Sequence, residues 1–293
     1  MSESIGPNPS LDGAVALSGL AKPGATWRPW PRRVGRERAL AAALVIALAA
    51  ATASAQSPPP PRVQSLRVQS LLVAEVNAWQ ARYHENPARI DQMRVALVET
   101  AKTDPQVDTL IALAKVCFIF GDVRAKNPEE KLEAYDQGRE AAQRAVELAP
   151  NNAEAHFWHG TNTARWGQTK GVMRSLFLLP TVKREIKTVL ELDPTFPPVY
   201  SLAGSVYIEV PSLLGGDLDK GEEMFRKGLE LDPRFTSARV GLGKALIKKR
   251  RLPEARRELE AVLGEKAPTN LADWTMKDSK RARELLESIR GKS

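Results

Sequence analysis

Three stretches of the chain, AVELAPNNAEAHFWHG, VLELDPTFPPVYSLAG and GLELDPRFTSARVGLG, align without gaps. Each has an apolar-Glu-Leu-x-Pro ending and a glycine ten residues after the proline: Pro150 and Gly160, Pro194 and Gly204, Pro233 and Gly243. An earlier stretch, ETAKTDPQVDTLIALAK, carries Pro105 in the same role, with Lys115 ten residues on. The prolines lie 45, 44 and 39 residues apart. A period of this length means stacked helical units, none of which buries its apolar face alone.

Downstream of each glycine position comes a second helix with small or apolar residues at +4 and +7. These are Gly138/Ala142/Ala145, Val182/Ile186/Val189, Gly221/Phe225/Gly228 and Ala255/Leu259/Val262. The spacing puts each trio on one helix face, and small members let two helices approach closely. The proline then stops the helix, because it has no backbone N–H to donate. The pattern resembles the tetratricopeptide repeat, with its Leu-Gly, Tyr, Ala, Phe and Pro positions. The last unit shows it most plainly in Leu242-Gly243 and Ala255; the third matches at Gly204, Tyr207, Phe225 and Pro233. The second departs at His159 and Thr163, and the first at Lys115.

The expected fold is therefore all-α, a right-handed tetratricopeptide-like solenoid of about four helix pairs. Repeats are placed at 105–149, 150–193, 194–232 and 233–267. Residues 67–104 form an opening helix pair. Residues 268–293 form a closing helix, capped by Asp278 or Ser279 and turning Leu285, Leu286 and Ile289 inward.

Ahead of the repeats, ALAAALVIALAAATASA (Ala39 to Ala55) is an apolar run preceded by Arg32, Arg33, Arg36 and Arg38. It ends in Ala-Ser-Ala, the small-x-small pattern of signal-peptidase cleavage. Residues 1–55 are read as a signal peptide with an N-terminal extension, cut after Ala55, giving a periplasmic or secreted protein. The alternative is an inner-membrane anchor over residues 39–55, although its strongly apolar part is short for a span. Residues 56–66 are read as an extended Pro-rich linker. Six of the 43 Lys/Arg and three of the 35 Asp/Glu fall in the first 55 residues, leaving a mild net charge of +5. With the signs mixed, nucleic acid is not an expected partner. The single cysteine, Cys117, rules out an internal disulfide.

The plain spacing from first-helix glycine to second-helix small residue is 12, from Gly243 to Ala255. It is 17 in the third unit (Gly204 to Gly221), 22 in the second (Gly160 to Val182) and 23 in the first (Lys115 to Gly138). Every insertion falls between the two helices of a unit, on one edge of the stack. Such insertions either build a ridge of loops on a binding face or lengthen the helices. GVMRSLFLLP, with Met173, Leu176, Phe177, Leu178 and Leu179, either folds back onto the stack or meets a partner. In PSLLGGD, Asp217 or Asp219 is expected to cap the next helix, with Glu222 completing a capping box from Asp219.

The RWGQTKG segment (Arg165 to Gly171) and the GGD insertion, within a resemblance covering about Leu71 to Leu286, look like the periplasmic repeat proteins associated with TRAP transporters, the T-component family. More distantly the chain is similar to the regulators of microtubule dynamics. The resemblance implies a helical repeat protein outside the cytoplasmic membrane, in a family that includes homo-oligomers with a pore. It also implies a role in helping a binding protein or transporter handle an apolar ligand.

Catalytic motifs are missing: there is no G-x-S-x-G, phosphate-cradling glycine loop or H-E-x-x-H. His156 and His159 have the spacing of a metal pair, but His159 takes a core position and no third ligand is in view, so neither metal nor cofactor is expected. Cys117 reads as a buried small hydrophobe. Lys248 to Arg251 (KKRR) fall in a tight turn, as solvated charge or as a site for an acidic partner or lipid headgroups. By register the inner face is lined by Phe157, Thr161 and Arg165, by Ser201, Ser205 and Ile208, and by Lys244 and Lys248. Met173 and Phe177 join them as binding candidates from the insertion. This set suits a peptide or an amphiphile. The reading is a non-enzymatic scaffold for a protein partner, in a transport assembly; the alternative is a carrier of a small hydrophobic ligand.

Overall fold

A computed structural model describes residues 61–292, with side chains from Ser65. The signal-peptide and anchor expectations, residues 1–55, lie outside the described residues, as do residues 56–60. The described part is helical throughout. An opening pair, α1 (Pro61–Trp79) and α2 (Arg89–Thr103), precedes four pairs. These are α3 (Val107–Val123) with α4 (Pro128–Leu148), α5 (Ala153–Lys170) with α6 (Val172–Leu192), α7 (Pro197–Glu209) with α8 (Leu218–Leu231), and α9 (Thr236–Lys248) with α10 (Leu252–Gly264). A turn at Leu271–Asp273 runs through a π-helical stretch, Trp274–Asp278, into α11 (Ser279–Ser288).

Two boundaries differ from expectation. The Pro-rich stretch 56–66 is not extended to its end, because α1 begins at Pro61. Proline is tolerated in a first helical turn, where its missing N–H has no partner to lose. The closing helix α11 does start at Ser279, but without the expected cap, because it continues the π-helical stretch before it. Asp278 and Ser279 both have helical backbone, and Asp278 makes no side-chain cap.

The back helices α4, α6 and α8 stop by the same device. The residue before the proline leaves helical geometry while its N–H still reaches a carbonyl of the last turn: Ala149 to Ala145, Asp193 to Val189, Asp232 to Gly228. Six residues after each proline, a side chain returns to that proline's carbonyl. His156 Nε2 lies 2.8 Å from Pro150 O, and the Tyr200 hydroxyl donates to Pro194 O at 2.7 Å. Arg239 Nη2 donates to Pro233 O at 2.8 Å. Starts are capped by side chains, Asn127 on Glu130 N, Asn152 on Ala155 N and Asp217 on Asp219 N and Lys220 N, which satisfy free N–H groups of the first turn.

The trios read from the sequence are buried. Phe225, Leu259, Val189 and Ala145 have no exposed surface, and burying a side chain such as Phe225 or Leu259 contributes about 2–3 kcal/mol. A Cβ on Gly204 would lie 2.9 Å from the Phe225 ring, and one on Gly243 2.6 Å from Leu259. The repeat glycines are thus where one helix lies against a large side chain of its partner.

In the first two units the insertions are helix, not loop: α4 and α6 each run 21 residues, against 13 for α10. The corner between α5 and α6 is Gly171, whose φ of 109° few other residues adopt. Only the third unit inserts a loop, the 3-10 turn Ser212–Leu214 followed by Gly215-Gly216. There a Cβ on Gly216 would sit 1.7 Å from Val210 O. No helix among the described residues is long and apolar enough to cross a membrane.

The closing segment does more than cover the last face. Leu285 and Leu286 pack with Val240, Leu259 and Val262, and Ile289 is buried beside Leu246 and Ala255. Upstream, the chain bridges back to the first helices. Ala272 N donates to Ala81 O at 3.0 Å, Tyr83 OH to Asp273 at 2.6 Å, and Ala272 shares a core with Leu72 and Val76. The two ends of the solenoid are joined.

Candidate binding groove

The concave side encloses a cavity of about 980 Å³, built mainly from the first helix of each pair and closed at its ends by residues 80–83 and 269–278. Of the ten residues singled out from the sequence, seven line it: Phe157, Thr161 and Arg165 on α5, Ser201, Ser205 and Ile208 on α7, and Lys244 on α9. Lys248 lies off the lining, its Nζ on Ile208 O and 3.5 Å from Glu209. Met173 and Phe177 sit on the outer face of α6, 80% and 74% exposed. They do not fold back. Their neighbours Leu176, Leu178 and Leu179 do, and these three line the cavity. The 3.6-residue period sends alternate members of this apolar run to opposite sides.

One wall is aromatic. Phe157 meets Trp158 and Phe196 edge-on, with ring centroids 5.0 and 5.1 Å apart, and Trp158 meets Phe118 at 5.5 Å. Hydroxyls of Thr161, Ser201 and Ser205 are set among these apolar groups.

Most charged groups of the groove are tied to one another. Asp122, nearly buried, holds the Arg165 guanidinium, accepts from Tyr135 OH at 2.7 Å and lies 3.5 Å from Lys277 Nζ. Burial works against its charge, but Arg165 and Lys277, with the Tyr135 hydroxyl, hold its carboxyl below the usual range. Lys277 also pairs with Asp273 at 2.7 Å. Burial works against the ammonium too, yet Asp273 and Asp122 raise its pKa. Burial and then the Asp273 carboxylate push the Tyr83 phenol up. Asp278 accepts from Thr236 at 2.7 Å and Ser237 at 2.8 Å, and burial, with Asp273 nearby, raises its carboxyl to about 6. Lys244 is 2.5 Å from Glu209. What the groove offers a ligand is thus chiefly apolar surface and hydroxyls, with ion pairs as fixed walls.

The histidine pair has a structural role. His156 Nδ1 is 2.6 Å from Glu185 Oε2, and His159 Nδ1 is 3.4 Å from Glu185 Oε1. Burial opposes the Glu185 charge, but His159 and His156 hold its carboxyl down at about 2. The cluster ties α5 to α6. Among the described residues no group of three His, Cys, Asp or Glu is arranged to hold a metal ion. Burial pushes the Cys117 thiol up to about 11, so it stays protonated rather than nucleophilic.

The KKRR turn is occupied as well. Glu222 does not form a capping box with Asp219, and Asp217 is the cap. Instead Glu222, 7% exposed, accepts from Arg226 at 2.8 Å, Lys249 at 2.6 Å and Arg251 at 2.7 Å. The turn is a bolt between the third and fourth units, not a free basic patch. Sequence reasoning missed Asp122, Asp273, Lys277 and Tyr83, which lie far apart in the chain. The residue six after Pro150, Pro194 and Pro233 was there to be read, since a hydrogen-bonding side chain recurs there.

Residues 73–213 match the family model for regulator of microtubule dynamics protein 1-3. Residues 213–274 match the tetratricopeptide repeat. Together with the stacked pairs, this second match decides the fold. The chain is a tetratricopeptide-type solenoid. Among solved structures it is similar to the tetratricopeptide-repeat protein TTC0263 of Thermus thermophilus, at 20% identity and a TM-score of 0.52, covering 74% of this chain and 97% of that one. It also matches a MamA structure (MSR-1) at 16% identity and a TM-score of 0.43, covering 77% of this chain and 98% of that one. No curated protein matches the sequence significantly. Neither family model describes a catalytic family.

Proposed function

We propose that this tetratricopeptide-type solenoid is a non-catalytic scaffold that holds a short segment of a partner protein in its groove, in an exported, homo-oligomeric transport assembly. The observation that carries this reading is the lining. First helices of successive units turn Phe157, Thr161, Ser201, Ser205 and Val240 toward one cavity. Apolar pockets interleaved with hydroxyls suit a peptide, whose side chains need the former and whose amides need the latter. Export rests on the arginine-led apolar run ending at Ala55.

A second reading, a carrier of a small hydrophobic ligand, is favoured by the joined ends. A groove closed by Ala272 on Ala81 limits how a long peptide threads through it.

The test is native mass spectrometry of the cross-linked protein purified from its own cell envelope, beside Ser201→Trp/Ser205→Trp, which fills the groove. A co-purifying protein lost in the variant is the expected result. A protein retained by the variant overturns the groove as its site. A lipid-like mass without a protein transfers the assignment to the second reading.

A further inference from the structure

We propose that the tip of the α5–α6 hairpin docks on an anionic bilayer surface, a role separate from the groove. From Ala155 to Arg184 the chain has no Asp or Glu and five Lys/Arg. Of these, Lys170 and Arg174 flank the corner at Gly171, Lys183 and Arg184 lie further along α6, and Arg165 is held by Asp122 in the groove. Outward-facing residues of α6, all exposed, are Met173, Phe177, Pro180, Arg184 and Lys187, spaced by four and three so that they form one stripe. The stripe is apolar toward the tip and basic toward the body, and Val172, 73% exposed, widens its apolar end. Met173 to Arg184 spans about 16 Å of helix.

The cations at the tip have no carboxylate within ion-pair distance among the described residues. Lys170 and Arg174 instead stack on Trp166, 5.6 and 5.7 Å from its ring centroid, and Arg174 also lies 5.7 Å from the Phe177 ring. On the same edge, Leu213 of the next unit's loop is 97% exposed. Protein interfaces place charges of both signs around an apolar centre. Arg139 of α4 covers the Trp166 ring as well, at 5.5 Å, and is paired with Asp136, but the unpaired charge nearer the corner is of one sign, and the matching surface is one that supplies phosphates everywhere and hydrocarbon just below them. Apolar side chains enter the headgroup boundary, Trp166 takes the interfacial position, and the flexible Lys170 and Arg174 side chains reach back to phosphate oxygens.

The test needs a readout at the tip, because the apolar run at Ala39–Ala51 would also be drawn to a bilayer. Cys117 is fully buried, so Met173→Cys in the full chain takes an environment-sensitive thiol dye selectively. Vesicles of phosphatidylcholine with and without phosphatidylglycerol are then titrated in. The expected result is a blue shift with the anionic vesicles, suppressed by salt, with apparent affinity falling about tenfold or more in Lys170→Glu/Arg174→Glu. No shift, or equal affinity for neutral vesicles and for the charge-reversed variant, overturns the proposal. A shift produced only by a soluble protein fraction overturns it too, and gives the tip to a protein partner.

Discussion

Two basic turns of the stack look alike in sequence and differ in their surroundings. Lys248 to Arg251 join α9 to α10, and Lys170 to Arg174 flank the corner between α5 and α6. At the first, Glu222, Asp219 and Glu209 of the preceding unit take up Lys248, Lys249 and Arg251. At the second, Lys170 and Arg174 lie over Trp166, and no described carboxylate is within ion-pair distance of them. A run of charge therefore reads as structure or as surface according to what the adjacent repeat offers, and that residue lies 27–40 positions away in the chain. The pair also separates the costs. Removing an acceptor from the occupied turn unpairs several cations at once, whereas altering the open turn disturbs only solvated groups.

The largest expected effect is at Glu222. Glu222→Ala takes away the acceptor that Lys249, Arg226 and Arg251 share and should destabilise the fold, read as a lowered urea midpoint at unchanged slope. An intact midpoint would put the occupied turn on a par with the open one. Gly216→Ala, in the loop that presents α8 and its Glu222, should cost about 2 kcal/mol, because Val210 O leaves no room for a methyl.

Acid should expose the same contrast. The Glu222 carboxyl sits at about 2: burial opposes its charge, but Lys249, Arg226 and Arg251 outweigh it. Glu185 is also at about 2. Both are lower than in the unfolded chain, at about 4.3, so their stabilisation is complete above that value and is lost as pH falls toward 2. Denaturation followed from pH 6 downward should steepen in this window, and Glu222→Gln should remove part of the slope. Asp278 has the opposite sign. Raised to about 6, it favours folding when protonated, and that contribution is lost as pH rises through 6. Asp278→Asn should hold or slightly raise stability at pH 7 while keeping an acceptor for Thr236 and Ser237. The smallest effect belongs to the open turn: Lys170→Glu/Arg174→Glu should change stability by less than about 0.5 kcal/mol, whatever it does to vesicle binding.

How far the sequence could be read depends on range. The Pro punctuation and the trios such as Ala255/Leu259/Val262 are local signals of period and face, and they place the helix pairs and most of the groove lining. The insertions were ambiguous because helix and loop cost the same number of residues; Leu178 and Phe177, adjacent in sequence, take opposite sides only once α6 is seen to be helix. Asp217 rather than Asp219 became the cap because α8 starts two residues earlier, freeing Glu222 for Arg251 and Lys249. The Asp122–Lys277 and Ala272–Ala81 contacts join residues more than 150 positions apart, and no spacing rule reaches that far.

Joining the ends changes what kind of array this is. An open repeat stack melts from its termini, since each terminal unit has one neighbour instead of two, and intermediates with frayed ends are populated. Here the turn at Leu271–Asp273 packs on the first helix and on the segment that follows it, so neither end of the array is left with a single neighbour. Loss of any one unit removes two interfaces and breaks the ring, which makes the described chain cooperative as a whole rather than unit by unit. Its amides should exchange with solvent at nearly the same rate from α1 to α11, where a linear stack would show a gradient from its ends toward its middle.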